Sequence, residues 1–172
     1  MAMSCLSPAS SDDKMIDGST KSFNDDDHRW MAHAMRLAET AANHGEVPVG
    51  AVVIKDNTLV GSGFNRNIEM NDPSAHAEIL AMRAAGKKLA NYRLVDCTLY
   101  VTLEPCPMCA GAMIHARLKR VVFAASDPKT GAAGGQFDLL GDLAHNHAVK
   151  VEGGCCAAQS STLLKSFFRQ RR

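Results

Sequence analysis

Apolar residues recur at every third or fourth position along Trp30–Ala41, which is the spacing of a helix that buries one face. Asp27 can cap the start of this helix, and Gly45 can end it. The preceding residues, 1–27, are rich in Ser, Asp and Gly and hold few large apolar side chains, so we expect a disordered acidic extension. The ordered domain is therefore predicted to span residues 28–172.

Strands and helices alternate along the rest of the chain. The first two strands are separated by Asp56-Asn57, a pair typical of a tight hairpin turn. In order, the pattern predicts strands at Val47–Lys55 and Thr58–Asn65, a helix that Asp72-Pro73-Ser74 introduces and that runs to about Lys88, a strand at Cys97–Leu103, a helix at Pro107–Leu118, strands at Arg120–Ala125 and Ala148–Glu152, and a helix from Ala157 to about Phe168. His76 lies near the predicted start of the helix that ends at about Lys88. Residues 126–136 contain too many glycines for regular structure and are predicted to form a loop. Because strand–helix–strand units are right-handed, this order predicts an α/β fold whose sheet is covered on both faces.

Composition excludes some classes of protein and leaves one asymmetry of charge. No apolar run approaches the roughly 18 residues that span a bilayer, and no secretory signal is visible, so we expect a cytoplasmic protein with no membrane partner. The formal net charge is +1, yet residues 1–27 hold six acids against two lysines, so the remainder carries about +5. Its last segment, 165–172, is basic and aromatic. Such an end suits a polyanionic partner, although basic residues there also complement a helix dipole.

Two short motifs carry candidate metal ligands, His76-Ala-Glu78 and Pro105-Cys-Pro-Met-Cys109. Zinc favours imidazole nitrogen and thiolate sulfur, and a catalytic zinc keeps three protein ligands and one open position. The two cysteines lie three apart at the start of a predicted helix, where the helix dipole favours thiolates. The sequence therefore predicts a zinc ion held by His76, Cys106 and Cys109.

Other interpretations of these residues remain open at this stage. A C-x-x-C pair occurs by chance or as a redox pair, and a lone histidine is often a core residue. A structural zinc would need a fourth ligand, and the spacing of His44, Cys97 and His115 recommends none of them. Glu78 favours catalysis, because its carboxylate would lie beside the metal where a proton carrier is needed. The other four cysteines are interpreted as buried or incidental thiols; they are Cys5, Cys97, Cys155 and Cys156.

His-Ala-Glu followed by Pro-Cys-x-x-Cys resembles the signature of the zinc nucleobase deaminases. A wider resemblance, to the bacterial transfer-RNA adenosine deaminases that act at the wobble position, covers about residues 29–172. The segments that carry it are Glu46–Val52, Asn65-Arg66, Asp72–Glu78, Thr102–His115, Val121–Gly135 and Phe167–Arg169. The resemblance implies a three-layer α/β/α cytidine deaminase-like fold with a mixed five-stranded sheet. It also implies a homodimer that binds RNA across the subunit boundary, with one zinc ion per subunit and no organic cofactor.

The same resemblance implies an activity and roles for individual residues. The activity is hydrolytic deamination of the wobble adenosine to inosine in a tRNA anticodon stem-loop, with zinc activating a water molecule and Glu78 carrying the protons. Asn65 is expected to hydrogen-bond the target nucleoside. Val47 and Pro48 are expected to line the base pocket.

Further contacts are expected around the metal loop and on basic surfaces. The backbone of Leu103 and Glu104 is expected to contact the amino group of the substrate. Candidate contacts to RNA sugar or phosphate are Asp127, Lys129, Lys119, Arg120, Arg169, Arg171 and Arg172.

Two alternatives remain compatible with the sequence. A deaminase of a free base or nucleotide, such as guanine or cytosine, would share the zinc signature. A non-catalytic RNA-binding or zinc-scaffold protein would share the ligands as well. The glycine-rich loop and the basic aromatic end favour RNA, and a single-stranded loop base can leave its stack at little expense.

Overall fold

The computed structural model describes residues 23–141 and 145–171. Within them the helices are α1 (Asp25–Asn43), α2 (Asn67–Met70), α3 (Ala77–Leu89), α4 (Pro107–His115) and α5 (Ala157–Arg169). The strands are β1 (Gly50–Lys55), β2 (Thr58–Phe64), β3 (Thr98–Leu103), β4 (Arg120–Ala125) and β5 (Lys150–Gly153). The predicted disordered extension lies outside the described residues as far as residue 22, and so does Arg172.

The strands form one sheet in the order β2-β1-β3-β4-β5. Strand β1 is antiparallel to both β2 and β3, whereas β3, β4 and β5 are mutually parallel neighbours. The predicted α/β fold with a mixed five-stranded sheet is therefore confirmed. None of the helices in the described ranges is both long and apolar enough to cross a bilayer.

Side chains of the central strands alternate between two apolar layers, as the period of a strand requires. On one face Val52 and Val122 join Met31 of α1 in a buried cluster, and α5 packs on the same side against β4. On the other face Val53 and Leu99 join residues of α3 and α4. Helices thus cover both faces, which gives three layers.

Helix α3 packs closely on β2 because small residues face each other there. A β-carbon added to Gly61 would collide with the backbone of Ala81 and Ala85 in α3, and one added to Gly63 would collide with Ala77. Glycine is required at this approach because any side chain would push the helix outward. The contact fixes the first turn of α3, which carries two of the predicted site residues.

Several element boundaries differ from the sequence prediction. Helix α1 begins at Asp25, and its N-cap is Asn24 rather than Asp27. Asp27 is instead the third helical residue and completes a capping box by accepting a hydrogen bond from the backbone N–H of Asn24 at 3.2 Å. The predicted cap was wrong because the Asn-x-x-Asp spacing of a capping box precedes it.

Helix α3 begins after the segment Asp72-Pro73-Ser74, which was predicted to introduce it, and His76 is its N-cap. The side chain of Asp72 accepts hydrogen bonds from the backbone N–H and the hydroxyl of Ser74, both at 2.7 Å, which holds a turn before the helix. The helix starts at Ala77, and the short helix α2 between β2 and this turn was not predicted. Strand β1 begins at Gly50, so Val47 and Pro48 precede the sheet.

A buried ion pair joins α1 to three strands. The carboxylate of Asp27 accepts hydrogen bonds from the hydroxyl of Tyr100 at 2.8 Å and from the guanidinium of Arg120 at 2.6 and 3.0 Å. Arg120 also donates to Glu152 of β5 at 2.5 Å. Burial opposes ionisation of Asp27, but the hydrogen bonds and charge of Arg120 and the hydroxyl of Tyr100 hold its pKa below the ordinary value.

We predict that Asp27→Asn lowers the free energy of unfolding by about 2 to 3 kcal/mol, because it removes a buried counter-charge of Arg120. In the parent, a folded pKa below the unfolded value of 3.8 means that the contribution of Asp27 is complete above that value. It is lost as the pH falls through the folded value. Urea unfolding at several pH values measures both effects.

The matched control for this substitution is Asp26→Asn, because Asp26 is exposed and, within residues 23–141 and 145–171, forms an ion pair only with exposed Arg29 of the same helix. It should change stability by less than about 0.5 kcal/mol. Equal stabilities for Asp27→Asn and the parent near neutral pH would contradict the assignment.

Candidate active site

The N-terminal ends of α3 and α4 meet at one end of the sheet. His76 is the N-cap of α3, Cys106 is the N-cap of α4, and Cys109 lies in the first turn of α4. Nδ1 of His76 is 3.6 Å from Sγ of Cys106 and 3.6 Å from Sγ of Cys109. The structure therefore brings together the three residues that the sequence identifies as metal ligands.

The three donor atoms fit a tetrahedral metal ion. With Zn–S near 2.3 Å and Zn–N near 2.0–2.1 Å, tetrahedral angles place the nitrogen and sulfur ligands about 3.6 Å apart. One ligand atom from each residue lies within 4.8 Å of the others. Three ligands leave one tetrahedral position for another molecule, which is the arrangement of a catalytic rather than a closed structural site.

Protons are shared unequally within this group. The hydrogen bond with Cys109 lowers the pKa of Cys106 to about 4, while the same hydrogen bond and burial raise the pKa of Cys109. The hydrogen bond with Cys106 raises the pKa of His76. A thiolate at Cys106 is thus favoured, as suits the start of a helix, and a metal ion would displace the remaining protons.

Glu78 lies in the first turn of α3 beside the metal ligands. It is 4% exposed, and burial raises its pKa to about 7. A carboxyl group with a pKa near neutrality can both accept and donate protons during one reaction.

A cavity of about 240 Å³ opens over these residues. It is smaller than the roughly 300–1,000 Å³ sites of drug-sized ligands, and suits a small planar group such as a nucleobase. The residues that line it are Val47, Val49, Asn65, Asn67, His76, Glu78, Leu103, Glu104, Cys106, Asp127 and Thr130.

Asn65 lines the cavity, and the oxygen of its side-chain amide already accepts a hydrogen bond within the protein. Its Oδ1 accepts a hydrogen bond from the backbone N–H of Ala77 at 2.9 Å, at the start of α3. Its own backbone N–H donates to the carbonyl of Val49 at 3.1 Å. The side-chain NH₂ is therefore the group that Asn65 offers to a molecule in the cavity.

Of Val47 and Pro48, which were both expected to line the base pocket, only Val47 does so. Val47 lines it, Pro48 is buried elsewhere, and Val49 takes the second place. The correction follows from a tight turn: the backbone N–H of Val49 donates to the carbonyl of Val47 at 2.8 Å, which places Pro48 at the apex of a three-residue γ-turn between the two cavity residues. Asn67 and Thr130 also line the cavity, and no sequence motif distinguished them.

Glu104 lines the cavity and organises the neighbouring loop through its side chain, while the contact of its backbone and that of Leu103 with the substrate amino group stays a prediction. Its backbone N–H donates to the carbonyl of Ala125 at 2.8 Å. Its buried carboxylate accepts hydrogen bonds from the backbone N–H groups of Asp127 at 2.8 Å, Ala133 at 2.9 Å and Gly135 at 2.7 Å. The glycine-rich loop is thus folded around one carboxylate, and a β-carbon at Gly135 would collide with it.

The basic residues expected to contact RNA fall at two ends of the molecule. Lys119 and Arg120 lie at the start of β4, which is paired with the start of β3, whereas the metal ligands follow the end of β3. A strand of six residues separates the two ends by about 20 Å. Arg120 is bound to two carboxylates, and exposed Lys119 pairs with Asp96 at 3.9 Å. Neither residue borders the cavity, so both are removed from the candidate RNA surface.

The other candidates lie on the cavity side. Lys129 is exposed on the glycine-rich loop, and Asp127 accepts hydrogen bonds from the backbone of Lys129 and Thr130, which shapes that loop. Arg169 and Arg171 are exposed at the end of α5.

Arg171 lies beside the segment that leads into the cavity wall. Its guanidinium stacks on Phe167 with 3.9 Å from Cζ to the ring centroid. The same guanidinium reaches Gly45, two residues before Val47. The basic end of α5 is therefore close to one rim of the cavity.

We predict that Glu104→Gln loosens the glycine-rich loop, because an amide NH₂ cannot accept from the backbone donors that the second carboxylate oxygen satisfies. Stability should fall by about 1 to 3 kcal/mol, the cost of buried unsatisfied donors. Hydrogen exchange of the peptide 127–135, followed by mass spectrometry, should be faster than in the parent.

The control Asp138→Asn changes an exposed carboxylate that accepts from the backbone of Gly141. It should leave exchange of peptide 127–135 unchanged. Protection of this peptide in Glu104→Gln equal to that of the parent would refute the role of the carboxylate.

Comparison with known proteins places this site in a family. Residues 25–172 match the family model of the MafB19-like deaminases. The tRNA-specific adenosine deaminase of Haemophilus influenzae is 50% identical over 147 residues, which are 85% of each chain. An enzyme of the same name from Streptococcus pyogenes is 41% identical over 143 residues, covering 83% of this chain and 90% of its own.

Solved structures agree in fold. One, from a study of A-to-I editing by tRNA:A34 deaminases at the wobble position, is 39% identical with a TM-score of 0.77 and covers 79% of this chain and 99% of its own. A guanine deaminase from Nitrosomonas europaea is 25% identical with a TM-score of 0.72, covering 81% of this chain and 83% of its own. The chain belongs to the MafB19-like deaminase family and, within it, to the group that contains the tRNA-specific adenosine deaminases.

Proposed function

We propose that this protein is a zinc-dependent hydrolytic deaminase that converts the wobble adenosine of a tRNA anticodon stem-loop to inosine. The observation that carries the proposal is the shared cavity of Glu78 and the three metal ligands, in a chain 50% identical to a tRNA-specific adenosine deaminase. The balanced reaction takes up water at C6 of the adenine ring and releases ammonia.

His76, Cys106 and Cys109 would hold the zinc ion, which supplies the Lewis acidity that activates a water molecule at neutral pH. Glu78 accepts a proton from that water and delivers it to N1 of the ring. It then takes the proton of the new hydroxyl group on C6 and passes it to the amino group, which leaves as ammonia. Its position in the cavity wall, two residues after His76, supports this role, because the carboxyl group would lie beside the ion.

The remaining cavity residues orient the base. Val47, Val49 and Leu103 offer apolar walls for the faces of a purine, and the NH₂ of Asn65 donates to an acceptor on the nucleoside. The loop held by Glu104 forms another side of the cavity, so the substrate meets a preorganised pocket.

The phosphates of the RNA have cationic partners on the cavity side. Lys129 lies on the glycine-rich loop, and Arg169 and Arg171 end α5 near the other rim. Cations here favour a polyanion over a free base, and a single-stranded anticodon base can be extruded into a pocket at little expense.

We also propose a homodimer with one zinc ion of this kind per subunit. An apolar groove of about 710 Å³ lies between α3 and α4. Its apolar lining includes Ile79, Met82, Leu94, Ala112 and Ala116. A second copy would cover this surface and bring its own RNA-binding residues beside the site.

A guanine deaminase is the second candidate activity. The solved enzyme from Nitrosomonas europaea matches most of this chain with a TM-score of 0.72. Its 25% identity is lower than the 39% of the structure from the A34 deaminase study, which favours the RNA substrate.

The proposal predicts that Glu78→Gln lowers kcat for inosine formation by roughly 10²–10⁴-fold while zinc remains bound. Glutamine matches glutamate in shape but cannot carry the proton. The assay uses an anticodon stem-loop with adenosine at the wobble position, mass spectrometry for inosine, and elemental analysis for zinc.

Glu39→Gln is the matched control, because Glu39 lies on α1 away from the cavity. It should retain full activity. Unchanged kcat in Glu78→Gln would support a scaffold function instead, and loss of zinc with loss of activity would assign Glu78 a structural role.

A second prediction concerns the end of α5. The double variant Arg169→Gln and Arg171→Gln should weaken RNA binding and reduce the slope of log affinity against log salt by about 1 to 2, because two phosphate contacts are lost. Binding is measured by fluorescence anisotropy of a labelled stem-loop over a range of salt concentrations.

Lys119→Gln changes an exposed cation at the far end of the sheet and should leave affinity and slope unchanged. An identical loss of affinity in both variants would show that net charge alone governs binding. It would contradict a phosphate site at the end of α5.

A further inference from the structure

A second group of metal-ligating side chains lies on the sheet face covered by α1 and α5, apart from the candidate active site. His28 lies in the first turn of α1, and Cys155 and Cys156 form the turn between β5 and α5. Nδ1 of His28 is 3.7 Å from Sγ of Cys156, and one ligand atom from each of the three residues lies within 4.8 Å of the others. From the sequence these cysteines were expected to be buried or incidental thiols; Cys155 is buried, and the fold brings Cys156 to a histidine 128 positions away.

The donor set of this group is the same as that of the active site. It consists of one imidazole nitrogen and two cysteine sulfurs, the ligands that zinc favours. The observed 3.7 Å is close to the roughly 3.6 Å between nitrogen and sulfur ligands of a tetrahedral zinc ion.

Local backbone geometry positions the two sulfurs. Cys156 has φ 60° and ψ 30°, the left-handed conformation that side-chain-bearing residues rarely adopt. It is also the N-cap of the 13-residue helix α5, whose dipole favours a thiolate. Both cysteines are in the thiol form and do not form a disulfide with each other.

The surroundings are suited to an ion that enters from the surface. Cys155 is fully buried, while His28 and Cys156 are half-buried. The ring of Phe23 packs edge-on against the imidazole of His28, with 6.4 Å between the centroids. The neighbouring carboxylate of Asp27 is engaged by Arg120, which leaves the imidazole and the two sulfurs as the candidate ligands.

We propose that His28, Cys155 and Cys156 form a second metal site for a thiophilic cation, zinc in the first place. The three residues supply three ligands, and solvent completes the coordination on the half-exposed side. The ion joins the first turn of α1 to the start of α5, and so ties together two distant parts of the chain. This site is independent of the proposed catalysis, because no residue is shared with the active site.

The test is a zinc titration of metal-free full-length protein by equilibrium dialysis, with elemental analysis. The parent should bind about two zinc ions per chain, and His28→Ala and Cys156→Ser about one each. His33→Ala and Cys97→Ser are the matched controls, a histidine on the same helix and a buried cysteine elsewhere, and should keep about two. Circular dichroism verifies that each variant is folded.

A second measurement uses the parent alone and does not depend on variant folding. Beyond one equivalent of zinc, alkylation of Cys156 in the folded protein should slow at least tenfold, while that of Cys97 stays constant. Binding of only one ion by the parent, or an unchanged alkylation rate of Cys156, would overturn the proposal. Deamination of the stem-loop by His28→Ala at the parental rate would separate this site from the proposed function.

Discussion

The close packing of α3 against β2 is the contact on which the active site depends. Gly61 and Gly63 let the helix approach the sheet, and alanines on the helix fill the space that remains. This approach fixes the first turn of α3 and therefore the imidazole of His76 and the carboxyl group of Glu78. Helix α4 starts where β3 ends, and its first turn carries both cysteines. The ligand atoms meet at 3.6 Å because two helix starts are held at one end of one sheet.

The residues around the proposed metal ligands are also held in place by hydrogen bonds within the protein. The side-chain oxygen of Asn65 accepts a hydrogen bond from the start of α3, which leaves its NH₂ for the proposed contact with the substrate. Glu104 gathers three backbone N–H groups and turns the glycine-rich loop into a wall of the cavity. Positive charge then surrounds the rim through Lys129 and the end of α5. From the inside outward, the proposed metal ligands, the cavity and the cations are arranged like the reacting atom, the base and the phosphates of a nucleotide in an RNA loop. This arrangement supports the same substrate as the similarity to the tRNA-specific adenosine deaminases.

Local patterns predicted the parts of the fold that depend on local forces. Alternating strands and helices gave the α/β class, and the spacing of His76, Cys106 and Cys109 indicated the ligands. The direction of individual side chains and the distances between elements could not be predicted from these local patterns. Val49 replaces Pro48 in the cavity because residues 47–49 form a tight turn before the sheet. Arg120 is the partner of Asp27 because β4 starts at the end of the sheet away from the proposed metal ligands. The group of His28 with Cys155 and Cys156 could not be found from spacing, since it depends on how both ends of the domain pack.

The most direct test of the central claim is the choice of substrate by the zinc-loaded, unmodified protein. It should be incubated with an anticodon stem-loop that has adenosine at the wobble position, with the same stem-loop whose adenosine is moved one position along, and with free guanine. Nucleosides and bases are then identified by mass spectrometry. The account predicts inosine from the first RNA, little from the second, and no xanthine. Xanthine from guanine, with both RNAs unchanged, would contradict it.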